Sequence, residues 1–328
     1  MFAGFYEEVG RADQVIKIGE MEDPIPGPYE VLVKIAFSGI NPSDVKMRAG
    51  SRGVLAFPRI IPHSDGSGII ESVGSMIDRR RIGEKVWIWN GNWKRAYGTN
   101  AEYIAIPSRQ AVKLPEEISL EVGATLGIPA ITAHYCLFSD GSIKDKIILI
   151  TGGGGRVGSY AIQMACLSGA KVITTVSSEE KATVARENGA HWVINYKKDL
   201  VIEKINTITN GNGVDRIIEV DFGSNIMISK EVLKKYGTIA AYGSTINPTP
   251  NIPFYPMMFL NHSIKLAFVY EIIKSERDNA IQDITCWLKG NKLKSLVTSV
   301  FVLSETSKAH NLVEVGKKIG GVLVKISD

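Results

Sequence analysis

Short apolar runs broken by Gly and Pro dominate the first third of the chain, at 29–36, 68–74, 84–89 and 101–106. Their length, alternation and turn-rich borders predict an antiparallel, barrel-like β module. From about residue 122 the rhythm changes to strand and helix in alternation. Strands are expected at Ile147–Thr151, Lys171–Val176, Trp192–Asn195, 215–220, 238–242 and 264–269, separated by helix-length segments such as 178–188 and 226–235. Six strands joined by crossovers make a doubly wound parallel sheet, so the fold class is α/β. Past Glu271 the pattern predicts a helix over 278–289, an extended stretch at 296–303, a helix near 305–314 and a last strand at 322–326 that returns to the first module. No repeat or low-complexity tract interrupts this order.

One junction carries chemistry. The strand Ile147–Thr151 runs directly into Gly152-Gly-Gly-Gly-Gly-Arg156-Val157-Gly158, followed by apolar residues at helical spacing, Ala161, Ile162, Ala165 and Cys166. Gly152, Gly155 and Gly158 fall where a chain must turn sharply, admit a phosphate to the backbone, and pack helix on strand without a Cβ between them. A helix N-terminus at such a turn is a site for a dinucleotide pyrophosphate. Gly152, Gly155, Arg156, Val157 and Gly158 are therefore candidate nucleotide contacts. A glycine-rich surface loop is the alternative reading, and it lacks a reason for the flanking strand and helix.

Composition narrows the class. The 328 residues are 45% hydrophobic and 22% charged, an ordinary globular makeup long enough for two domains. The net charge of +4 comes from dispersed lysines rather than a basic stripe, which argues against nucleic acid as a partner. Cys136, Cys166 and Cys286 are isolated and odd in number, as expected of packing residues in a reducing compartment. The opening Met1-Phe-Ala-Gly-Phe-Tyr-Glu-Glu8 has no basic region followed by an apolar run, and no stretch is long enough for a membrane span. A soluble cytoplasmic protein is expected.

The second strand indicates which dinucleotide. An acid about twenty residues past the glycine turn would bond a ribose 2′-hydroxyl and repel a 2′-phosphate. Here that strand ends Thr175-Val176-Ser177-Ser178, and Lys181 follows. Two hydroxyls and a cation suit a group carrying roughly −1.5 to −2 charges, so NADPH is expected. Glu179 and Glu180 at the helix start are read as facing solvent. Lys181 could equally be a solvated helix lysine, and Tyr196 could add a hydroxyl donor or be an ordinary tyrosine.

The residues now on view carry a resemblance. Gly39-Ile-Asn-Pro-Ser-Asp44, Pro62-His-Ser-Asp-Gly-Ser-Gly68 continuing to Gly74, Gly127-Ile-Pro-Ala-Ile-Thr-Ala133, the glycine run, Glu187-Asn-Gly-Ala-His191 and Ala240-Ala-Tyr-Gly-Ser244 resemble the medium-chain dehydrogenase/reductase superfamily. Within it they are similar to the zinc-free quinone oxidoreductase group that includes zeta-crystallin. The resemblance implies a Rossmann domain, 122–270, set into a mostly β, GroES-like barrel catalytic domain made from both chain ends, 1–121 and 271–328. It also implies a homodimer. Zinc-using members place Cys, His and Cys where this chain has Asn41, Ser64 and a position near Ile128. Zinc needs three or four converging N, S or O ligands, so no metal is expected, His63 notwithstanding. The same resemblance implies that Asn41 lies beside the nicotinamide, that Thr132 packs on its ring, that Gly243, Ser244 and Phe268 meet the cofactor, and that Lys317 lies in a loop closing over it.

Two features depart from the family pattern. Val86-Trp-Ile-Trp-Asn-Gly-Asn-Trp-Lys-Arg-Ala-Tyr97 is aromatic where small residues are usual, so Trp93 and Tyr97 are candidates for a planar substrate's pocket. Val45-Lys46 replaces a tyrosine found in some quinone reductases. The expected activity is hydride transfer from NADPH to a quinone. Its nearest rival is reduction of a conjugated enone or alkenal. An NADPH-sensitive single-stranded RNA-binding protein is a further reading, and a zinc alcohol dehydrogenase is disfavoured by the missing ligands.

Overall fold

The computed structural model describes residues 1–51, 53–316 and 319–327. It divides into two compact units, Met1–Ile128 with Ile284–Asp328, and Pro129–Asp283. Both boundaries fall later than the change of rhythm near 122 and 271 suggests. The helices Gly127–Phe138 and Lys274–Lys289 run across them, so packing divides each helix where the sequence pattern marks its approach. Among the described residues no helix is long and apolar enough to cross a membrane.

The central unit holds a six-stranded, all-parallel sheet. Across it lie Trp192–Asn195, Lys171–Val176, Ile147–Thr151, Val214–Glu219, Leu233–Ala241 and Ser263–Leu266. The chain order reverses between Ile147–Thr151 and Val214–Glu219, the switch point where doubly wound sheets open a crevice at their carboxyl ends. Leu149, Ile173, Ile194, Ile217 and Ile239 fill one side of the sheet, because strands covered on both faces select continuous apolar runs. Two elements differ from expectation. The fifth strand starts at Leu233, with the left-handed Tyr236 and a register shift absorbing the irregular stretch before Thr238. The sixth strand ends at Leu266, because residues Val269–Glu271 turn into a 3₁₀ helix.

The other unit is mostly β. Its seven-stranded sheet runs Val297–Val302, Gly321–Lys325, Glu30–Gly39, Asp65–Val73, Lys85–Ile88 and Ala111–Lys113, and Tyr103–Pro107 also pairs with Glu30–Gly39. Inward positions of alternating strands, Val31, Val33, Ile35, Ile70, Val86 and Ile104, make its core. The pairs are antiparallel except Val297–Val302 on Gly321–Lys325, which the crossover helix Thr306–Glu314 makes parallel. Arg48, buried at the end of the helix Pro42–Arg48, pairs with Glu314 at 2.6 Å and fastens that crossover helix.

This unit also buries a polar chain. Thr99 Oγ1 donates to the Asp65 carbonyl at 2.6 Å and lies 2.7 Å from Ser38 Oγ, which lies 2.8 Å from His63 Nδ1. His63 Nε2 is 2.9 Å from His310 Nε2, and both rings are fully buried. Burial, with Arg48 nearby, lowers His310 to about 3. The unfolded chain therefore binds a proton here near pH 6.5 that the folded chain refuses until about pH 3, so stability falls as pH drops through that window. Denaturant melts should show about 2 kcal/mol less stability at pH 5 than at pH 8 from this group alone. His310→Gln should flatten that slope, and an unchanged slope would show that other groups set it.

Candidate functional site

The glycine turn is built from backbone. Gly152 takes φ +73°, a left-handed value that a side chain would strain. The amides of Gly152 and Gly153 both donate to the Thr175 carbonyl, at 3.1 and 3.0 Å, which ties the turn to the second strand. Gly155 is exposed, caps the helix Arg156–Leu167, and donates to the Gly152 carbonyl at 2.9 Å. A Cβ on Gly158 would lie 2.9 Å from Gly153 Cα, whereas one on Gly155 would meet only the Gly152 oxygen, at 3.3 Å. Gly158 thus serves close packing and Gly155 faces open space. Gly153 is constrained as well, since a Cβ there would strike Thr174 Oγ1, a requirement the three-residue spacing does not reveal. Arg156 is buried and Val157 half-buried in the first helical turn.

Beside the turn, the second strand ends in a polar corner. The Lys181 stem lies across Gly154, where an added Cβ would be 2.7 Å from its Cβ and Cγ. Its Nζ donates to Ser177 Oγ at 3.3 Å, and Ser178 Oγ accepts the Lys181 amide to cap the helix Glu179–Glu187. Glu179 is drawn to Arg186 at 2.7 Å on the exposed side. The Tyr196 amide donates to the Val176 carbonyl at 3.1 Å, placing this half-exposed tyrosine at the same strand end.

The fourth and fifth strands add loops held by side chains. Gly243 accepts the Phe222 amide at 2.8 Å through its carbonyl. Ser244 Oγ accepts the Gly223 amide at 2.9 Å and donates to the Asn247 carbonyl, so the hydroxyl expected on the cofactor is spent fastening its own loop. Phe268 lies beyond the sixth strand, half-exposed and 5.3 Å from the Tyr270 ring, rather than in the core as its apolar run suggests. Thr132 is buried in the helix Gly127–Phe138. Lys317 lies outside the described residues.

In the β unit, Asn41 is buried and fixed. Its Nδ2 donates to Asp65 Oδ2 at 2.8 Å, and its backbone amide donates to Asp44 Oδ2 at 2.7 Å in a capping box at the start of Pro42–Arg48. Asp65 Oδ1 also accepts the Ile128 amide at 2.8 Å. Sequence reasoning missed Asp65; an acid inside an otherwise small and apolar strand start was its signal. Asn41, Ser64 and Ile128 offer no zinc-binding donor set, and among the described residues no three of His, Cys, Asp or Glu converge for a metal. A cavity of about 370 Å³ is lined by Tyr6, Met47, Leu55, Phe57, Ile60 and Trp93, among others. Trp93 thus walls a pocket. Tyr97 does not line that cavity: it is exposed and bridges to Ile61.

A Rossmann unit together with a mostly β unit built from both chain ends defines a medium-chain dehydrogenase/reductase. Residues 27–116 match the alcohol dehydrogenase GroES-like domain, and 157–285 match the zinc-binding dehydrogenase domain. Mouse quinone oxidoreductase is 32% identical over 305 residues, 90% of this chain and 89% of the relative. A 2-haloacrylate reductase from Burkholderia is 27% identical, covering 94% and 93%. The solved structure of a mycobacterial protein complexed with NADPH is 25% identical with a TM-score of 0.89, covering 99% of this chain and 100% of that one. The chain belongs to the zinc-free quinone oxidoreductase group of this superfamily, a family of oxidoreductases.

The turn's packing gives a direct test. Gly158→Ala should cost about 1–3 kcal/mol in urea melts, because the added methyl has only backbone to displace. Gly155→Ala should cost well under that, and equal losses would contradict the division between the tightly packed glycine and the one facing open space.

Proposed function

We propose that the protein transfers a hydride from NADPH to a quinone without a metal ion. The observation that carries the cofactor choice is the polar corner: Ser177, Lys181 and Tyr196 share the end of the second strand, while Glu179 is paired with Arg186 and Glu180 is exposed. The glycine turn fits a dinucleotide, since Gly155 leaves an open cradle at a helix N-terminus. When bound, the reduced nicotinamide supplies the hydride. Arg156 and Val157 would hold the pyrophosphate through their amides and the helix dipole, with Gly152, Gly155 and Gly158 shaping the turn that lets it approach. Lys181 and Ser177 would pair with the 2′-phosphate, with Tyr196 adding a donor. Gly243, Ser244 and Phe268 would meet the cofactor chiefly through backbone, given where the Ser244 hydroxyl is spent. Lys317 would add a charged contact.

Thr132 would pack on the nicotinamide, and Asn41 would orient the carboxamide or the acceptor oxygen. Asp65 and Asp44 fix Asn41 in advance, so little entropy is lost in using it. Trp93 and its apolar cavity would take a flat acceptor and exclude water. A quinone needs little polarisation, because reduction restores aromaticity. The mycobacterial NADPH complex and the quinone oxidoreductase relatives support this reading. Reduction of a conjugated C=C bond is the second reading, favoured by the 2-haloacrylate reductase relative.

The deciding assay follows oxidation of NADPH and NADH by quinones, conjugated enones and aldehydes, with and without chelator. Quinone turnover that prefers NADPH and ignores chelator is expected; enone turnover alone would select the second reading, and chelator inhibition would reject the metal-free one. Lys181→Ala should lower the NADPH-over-NADH preference at least about tenfold, the equivalent of one charge-assisted hydrogen bond.

We further propose a homodimer. The edge strand Ser263–Leu266 presents Leu266, and the helix Phe254–Phe259 presents Phe254 and Phe259, all exposed. Sedimentation should give a dimer that Leu266→Lys weakens, and a monomeric native protein would reject the proposal.

A further inference from the structure

Glu219 ends the fourth strand, fully buried at the switch point, and the activity proposed above does not use it. Its Oε1 accepts three hydrogen bonds: from Thr151 Oγ1 at 2.9 Å, the Asp221 amide at 2.7 Å and Asn225 Nδ2 at 2.9 Å. These donors come from different places. Thr151 is the last residue before the glycine turn, and its hydroxyl also accepts the Val220 amide at 2.9 Å. Asp221 precedes the helix Phe222–Val232, and Asn225 lies in its first turn. Asp221 carries the network on, because its Oδ1 accepts the amides of Thr245 and Ile246 at 2.6 and 3.3 Å. The loops after the first and fourth strands therefore meet at Glu219 Oε1, and the loop after the fifth strand joins them through the Asp221 carboxylate.

We infer that Glu219 is a positioning residue of the nucleotide crevice, holding the loops after three strands in the arrangement that receives the cofactor. The inference rests on the cofactor reading given above. A carboxyl in this place is costly, since its partner on the adjacent strand, Ala241, is buried in the apolar core. Only an acceptor can gather three donors at one point. The other oxygen, Oε2, is buried with no hydrogen-bond partner among the described residues, and burial raises the carboxyl's affinity for a proton. All three bonds use Oε1 alone, so what the site requires is an acceptor at that point. Glutamine reproduces that arrangement and leucine abolishes it.

The test measures dissociation constants for NADPH, NADH and ADP-ribose, the KM for NADPH, kcat and the melting temperature in wild type, Glu219→Gln, Glu219→Leu and Thr151→Val. Glu219→Gln should bind NADPH within about twofold of wild type. Glu219→Leu should bind about tenfold or more weakly and raise the KM for NADPH while kcat changes little, as expected for a misplaced loop. Thr151→Val should shift binding the same way by less, and it carries the test if Glu219→Leu does not fold. A Leu variant or, failing that, a Val variant that melts lower yet binds like wild type would make Glu219 a core residue only and overturn the inference. A Gln variant as weak as the Leu variant would overturn it too, by showing that charge rather than acceptor geometry matters. Wild type that binds NADH and ADP-ribose but not NADPH would reject the cofactor choice alone; wild type that binds none would remove both.

Discussion

A chain reversal made only of backbone is the constraint on which the nucleotide unit depends. Because Gly152 and Gly153 spend their amides on the Thr175 carbonyl, the turn and the end of the second strand are fixed to each other before any ligand arrives. That fixture lays the Lys181 stem across Gly154 and brings its ammonium to Ser177. It also sets Thr151 where Glu219 can reach it. The open helix start at Gly155 and the polar corner thus follow from one local geometry, and the loops after the fourth and fifth strands are drawn to it by the Glu219 and Asp221 side chains.

The β unit solves a related problem with different groups. Its buried polar residues pair among themselves: Asp65 with Asn41 and the Ile128 amide, and Ser38, Thr99, His63 and His310 in a chain. Each buried donor or acceptor left unmet would cost about 1–3 kcal/mol, so such a set fixes side-chain positions as firmly as packing does. Asn41 gains its defined rotamer from these neighbours, a form of preorganisation without coordination chemistry.

Periodicity made the central sheet legible: Ile147–Thr151, Lys171–Val176 and Trp192–Asn195 begin and end where their apolar runs do. The glycine turn and the polar corner were legible too, because those residue types have few other uses at a strand end. What stayed hidden depends on distant partners. Ser244 looks like a ligand contact until Gly223 and Asn247 are seen to occupy its hydroxyl. Glu219 looks like the frayed end of an apolar strand, since nothing local announces three converging donors. Trp93 and Tyr97 are alike in the sequence, and only the path of the intervening turn, with Lys94 left-handed, sends one to the cavity and the other to solvent.

The β unit is assembled from both ends of the chain: Gly321–Lys325 pairs with Glu30–Gly39, and Arg48 holds Glu314. A sheet closed by its last strand cannot be completed during synthesis until that strand has emerged, whereas the six-stranded parallel sheet is finished once Leu266 is made. The central unit can therefore fold while the β unit still waits with the Phe37–Gly39 end of its strand unpaired and open to wrong partners. Vulnerability to misassembly during biogenesis is concentrated in that early strand, far in sequence from the residue pairs that eventually protect it.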